Sequence, residues 1–122
     1  MKIEKFTDLM AWQESHKLVL EIYSKTKDFP SEEKFSLTSQ IRRAAVSVTS
    51  NIAEGFGRQS AKDKLHFYTI SRGSILELQS QLLIVRDLKL LSKSEYNILY
   101  DQSVLAHKLI NGLMRSIRNS AD

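Results

Sequence analysis

The segment Gly55-Phe56-Gly57-Arg58-Gln59-Ser60 has the glycines, cation and hydroxyl of a phosphate-binding loop. A dinucleotide loop must leave a β-strand, so that the pyrophosphate meets the N-terminus of the following helix. Here a helical pattern precedes it, so the segment reads as a helix connection. Arg58 and the free N–H groups near Ser60 could still hold an RNA phosphate. Asp63-Lys64-Leu65-His66 is the nearest approach to the Glu-x-x-His pairs of a di-iron site. It has aspartate in place of glutamate, and His16 and His107 have Gln13 and Val104 three residues before them. No metal site and no cofactor is expected. No serine, histidine and acid stand at a spacing that suggests a triad, and His16 reads as a hydrogen-bonded core or interface residue. No catalytic residue is assigned, and the chain is expected not to be an enzyme. The absence of cysteine excludes disulfides, thiolate metal sites and a cysteine nucleophile.

The elements that would position such groups are helices. One proline and four glycines in 122 residues disfavour a turn-rich β fold. Leu9, Trp12, His16, Val19, Tyr23 and Thr26 follow the 3,4 spacing of an inward seam. Thr7 or Asp8 is the expected N-cap of that first helix, and Phe29-Pro30 its end. The second helix is expected to start within Ser31 to Ser36 and run to about Gly55. Its seam is Leu37, Ile41, Ala44, Val48 and Ile52, with Ala45 beside it. Gly55 and Gly57 are expected to supply positive-φ residues at its end. A capping box at Ser60/Asp63 opens a third helix to roughly Leu88, with Leu65, Tyr68, Ile75, Leu78, Leu82 and Val85 inside. Gly73, mid-helix, is expected to mark a close helix crossing. A fuller box at Ser92/Glu95 opens the fourth helix, with Tyr96, Leu99, Ser103, Ala106, Leu109 or Ile110, Leu113 and Ile117 inward. Short connections favour antiparallel neighbours. The fold class is therefore all-α, an antiparallel up-down four-helix bundle. A single domain is expected over 1–122, with its core from about 6 to 118. The longest uncharged run, Ala44 to Ala53, is too short to span a membrane, and no signal peptide is evident.

Along the second helix, Gln40, Arg43, Ser47, Asn51, Glu54 and Arg58 form a polar stripe of amides, hydroxyls and arginines. That composition suits a partly buried hydrogen-bonded surface between helices or subunits, with Glu54 and Glu77 as counter-ions for Arg42 or Arg43. These same residues carry a resemblance. Gln40-Ile41-Arg42-Arg43-Ala44-Ala45 with Ser47, then Asn51-Ile52-Ala53-Glu54-Gly55 with Arg58, resembles the signature of the four-helix-bundle family named for 23S rRNA intervening sequences. Phe6, Asp8-Leu9, Trp12, Phe29-Pro30, Glu33, Leu37, Gly73-Ser74 and Glu77-Leu78 match in order. Phe35-Ser36 and Ser71-Arg72 depart from the family pattern.

The resemblance implies a cytoplasmic bacterial bundle that assembles with itself as a ring, a homopentamer, with no attached enzymatic activity. It also implies kinship with the basic, nucleic-acid-binding accessory proteins of diversity-generating retroelements. The chain carries 18 basic and 14 acidic residues, a net charge of +4, which five copies would raise to about +20. The leading expectation is RNA or other nucleic-acid binding through Arg42, Arg43, Arg58, Lys62, Lys64, Arg72, Lys108, Arg115 and Arg118. Gln40, Arg43, Ser47, Asn51, Glu54, Gly55, Gly73 and Glu77 are assigned to structure and assembly. The alternative is a ring-forming scaffold that recruits a protein partner through an exposed aromatic patch including Trp12, Tyr96 or Tyr100.

Overall fold

Helical periodicity and the scarcity of breakers produce four helices in the computed structural model, which describes residues 2–120. They are α1 (Met10–Thr26), α2 (Leu37–Phe56), α3 (Ala61–Asp87) and α4 (Lys93–Ser120), with short 3-10 turns at Phe6–Asp8 and Ser31–Glu33. No strand occurs among the described residues. Helix α1 packs on α2 and α4, and α3 packs on the same two, with no contact across the diagonal. The facing partners run in opposite senses. Arg72 meets Asn111 and Gln79 meets Ser103 between α3 and α4. Ser47 meets Ser74, and Lys64 meets Phe56, between α2 and α3. The bundle is therefore antiparallel and up-down.

The seam of α2 is buried as expected, and so is that of α3 apart from half-buried Leu65. On α4, Met114 is buried where the seam predicts Leu113, and Leu113 is half-buried beside it. Helix α1 is rotated from its predicted seam. Its buried face is Ala11, Ser15, Leu18, Ile22 and Thr26, and the stripe Trp12, His16, Val19, Tyr23 lies along its edge. Small Ala11 and Ser15 fit between three helices where indole and imidazole rings do not. His16 is accordingly not a core residue; it stacks on Trp12 with ring centroids 4.6 Å apart.

Caps and crossings also differ in part from expectation. The Asp8 carboxylate accepts the N–H groups of Glu4 and Lys5 at 3.0 Å, so it caps the 3-10 turn, and α1 starts later at Met10 without a side-chain cap. Ser60 Oγ accepts the Asp63 N–H at 3.1 Å, whereas Ser92 and Glu95 make both bonds of a capping box. No glycine has positive φ; Gly57 ends α2 in helical geometry. The single positive-φ residue among those described is Lys89, at 59°, where Leu90 N–H bonds the Val85 carbonyl in a Schellman-type stop. The close crossing expected at Gly73 is instead at Gly55. A Cβ on Gly55 would lie 2.7 Å from the Tyr68 ring, while one on Gly73 would have nothing within 4 Å. Tyr68 is fully buried there, and burial pushes its phenol up to about 12.

Candidate nucleic-acid interface

Antiparallel packing divides the nine cations expected to bind nucleic acid between two halves of the bundle. Arg58, Lys62, Lys64, Arg72, Lys108, Arg115 and Arg118 lie in the half where α2 ends, α3 begins and α4 ends. Arg42 and Arg43 lie in the other half, near the start of α2.

Four of the nine have work inside the fold. Arg42 Nε donates to Thr26 Oγ1 at 2.9 Å, and its guanidinium covers the Tyr23 ring at 4.7 Å. It thereby ties α2 to the C-terminal turn of α1, where a cation complements the helix dipole. Lys64 Nζ donates to the Phe56 carbonyl at 2.7 Å and so closes the end of α2. Arg72 donates to Asn111 Oδ1 at 3.1 Å. Arg58 pairs with Glu54 at 3.6 Å and lies over the Phe67 ring. The pairing of Glu54 or Glu77 with Arg42 or Arg43 does not occur: Glu54 turns to Arg58, just past the end of α2, and Glu77 is exposed.

The other five, Arg43, Lys62, Lys108, Arg115 and Arg118, are exposed and have no ion-pair partner among the described residues. Lys108 and Arg115 border one groove of about 360 Å³ between α1 and α4, with Met10 and Gly112. Lys64 borders a smaller hollow where the start of α3 meets Ile117 and Ser120 of α4. The five are exposed cations on long flexible stems.

The polar stripe of α2 splits in two. Ser47 Oγ and Ser74 Oγ lie 2.8 Å apart, which joins α2 to α3 within one chain, and Asn51 donates to the Ser47 carbonyl and hydroxyl within α2. Gln40, Arg43, Glu54 and Arg58 remain exposed.

A hollow of about 460 Å³ near the start of α2 is a feature that the sequence patterns do not predict. It is lined by Tyr23, Lys34, Phe35, Thr38, Ser39, Arg42, Arg43 and Val46, and no carboxylate is among them. Its signal in the sequence is the acid-free run from Lys34 to Ala53 with Phe35 at its head. The aromatics expected on a partner patch are placed otherwise: Tyr96 is buried, and Trp12 and Tyr100 are half-buried. Among the described residues, no helix is long and apolar enough to cross a membrane. No group of three or more potential metal ligands comes together among the described residues.

The model of the 23S rRNA-intervening sequence protein family matches residues 7–112. The chain belongs to that family. Among solved structures, it is similar to a protein of unknown function from the S23 ribosomal protein family of Bacteroides thetaiotaomicron. The TM-score is 0.81 at 22% identity, covering 89% of this chain and 98% of that one. That likeness is one of fold. No curated protein matches the chain. In this chain, part of the stretch Gln40 to Gly55 lies at the α2–α3 contact. Ser47 bonds Ser74 across it, Asn51 holds Ser47 from within α2, and Gly55 lies tightly against Tyr68.

Proposed function

We propose that this protein is a non-enzymatic, self-associating bundle that binds RNA or another nucleic acid through exposed arginines and lysines in the cytoplasm. One observation carries the reading. Lys62, Lys108, Arg115 and Arg118 share one half of the bundle, and none has an ion-pair partner among the described residues. Cations left unpaired on one side of a molecule gather phosphate, release counter-ions and make affinity strongly salt-dependent. The family's link to rRNA genes is consistent with that reading.

Self-association is supported by α3. From Gly73 to Val85 the only charge is Glu77, so little repulsion opposes the approach of another copy along this stretch. Leu76, Leu83 and Ile84 stay exposed on its outer side. Exposed apolar side chains grouped on one helix side suit burial in a larger assembly, and the bare flank at Gly73 leaves room for another backbone. The occupant we assign to that face is a second copy of the chain, and a closed ring of five satisfies the family resemblance. A ring would bring the free cations of every copy into one field.

The test is titration of the purified protein with 23S rRNA fragments at several salt concentrations, with light scattering on the same samples. Binding that weakens steeply with salt by an oligomer supports the reading. No binding at about 50 mM salt overturns it.

A further inference from the structure

The hollow near the start of α2 is lined by a residue whose hydroxyl has no partner. Thr38 is 7% exposed and lines the hollow, and its Oγ1 has no hydrogen-bond partner. Buried hydroxyls are nearly always satisfied, so an orphaned one just beneath a cavity wall is free to turn toward a ligand atom. Lys34, Arg42 and Arg43 surround it. A second lobe of about 280 Å³ shares Lys34, Thr38 and Arg42 and adds Lys27. No carboxylate lines either lobe. At the rim Phe35 is 90% exposed, an unusual cost for a phenyl ring in water. Volume, charge and ring together fit one chemistry, because a site of about 300–1,000 Å³ takes a small organic ligand. The cations ask for an anion, and the exposed ring asks for a flat partner.

We propose that this hollow takes a single unstacked nucleotide of an RNA strand. Its base stacks on Phe35, and its phosphate meets Lys34 and Arg43. The Thr38 hydroxyl bonds a polar edge of the ribose or base. The inference rests on nucleic acid being the ligand, but it locates the contact in the half of the bundle away from Lys62, Arg115 and Arg118. It assigns the hollow a preference for unpaired over duplex RNA, because a base inside a duplex has no free face to offer.

The experiment compares three probes by fluorescence anisotropy or calorimetry: a short single-stranded oligoribonucleotide, the same sequence as a duplex, and a free nucleoside monophosphate. Wild type, Phe35→Ala and Thr38→Val are titrated with each, and light scattering reports their assembly. The expected result is tighter single-strand than duplex binding. Phe35→Ala should weaken the single strand by roughly 5- to 150-fold and leave the duplex within twofold. Thr38→Val, of similar shape, should weaken it severalfold without loss of stability. If RNA binds but both variants match wild type on every probe, the inference is overturned while nucleic-acid binding stands. If no RNA binds but the monophosphate does, and Phe35→Ala abolishes that, the proposed function fails and the hollow is a site for free nucleotide. If no probe binds, both fall. A change in assembly in Phe35→Ala with unchanged RNA affinity makes the ring an interface residue and also overturns the inference.

Discussion

Gly55 of α2 lies against Tyr68 of α3 so closely that a Cβ there would fall 2.7 Å from the ring and 3.1 Å from Phe67 Cβ. The neighbouring Ser71 hydroxyl bonds the Val48 carbonyl at 2.7 Å, so the two helices have little freedom to separate. Gly55→Ala should therefore destabilise the fold. Overpacking costs about 1–3 kcal/mol, and replacing a helical glycine returns about 1 kcal/mol. A net loss of up to about 2 kcal/mol in urea unfolding is expected. A gain in stability would show that α3 moves aside freely.

Gly73 is the contrasting case. With nothing within 4 Å of its would-be Cβ, Gly73→Ala should gain up to about 1 kcal/mol in the isolated subunit. If the outer face of α3 meets a second copy there, the added methyl weakens assembly. The expected pair of results is a higher melting temperature at low protein concentration and a smaller species in light scattering. Unchanged assembly removes Gly73 from the subunit contact.

Adjacent Arg42 and Arg43 should separate by role. Arg42→Ala leaves the Thr26 hydroxyl without its Nε donor and uncovers Tyr23. A loss of about 1–2 kcal/mol is expected from a charged hydrogen bond and a cation–π contact. Arg43→Ala should stay within about 0.5 kcal/mol, as exposed substitutions do, and lose RNA affinity only. Chemical denaturation of the two variants side by side checks this.

How far the sequence revealed these features depends on what each depends on. The α2 seam was legible because alternation of small and branched residues fixes its burial. The Ser92/Glu95 cap was legible because its signal is local. The rotation of α1 was not, because Trp12 and Ala11 both fit an apolar stripe, and only the space between α2 and α4 decides which points inward. Gly55 and Gly73 look alike in one dimension; distance to Tyr68, a residue thirteen positions from Gly55, separates them. Arg43 and the aromatic hollow share this property. The acid-free run beginning at Lys34 was visible, but its convergence on Tyr23 of another helix was not.

Lys89 holds a left-handed conformation at φ 59° that costs a side-chain-bearing residue roughly 1–2 kcal/mol. Lys89→Gly relieves it at some entropic expense in the unfolded chain. A net gain of about 0.5–1 kcal/mol is expected in thermal unfolding.

The Glu95 carboxyl is held below its ordinary value by the Ser92 N–H, then by the Ser92 hydroxyl, with Lys25 adding to them. A group whose pKa is lowered by folding stabilises the fold above its unfolded value. That contribution disappears as pH falls through the lower folded value. Wild type should lose stability relative to Glu95→Gln as pH drops below about 4.5, the ordinary glutamate value. Melting curves of both proteins between pH 3 and pH 7 test the sign; parallel curves would contradict the cap.

The central claim is that free cations in the half of the bundle containing Lys62, Arg115 and Arg118 bind nucleic-acid phosphate. The most direct measurement is the slope of log affinity against log salt for a ribosomal RNA fragment, for wild type and for the variant Lys62→Ala/Arg115→Ala/Arg118→Ala. Counter-ion release predicts a steep negative slope, made shallower in the variant by about 0.7–0.9 for every phosphate that a subunit no longer neutralises. Equal slopes in the two proteins, or a slope near zero in wild type, would contradict the account.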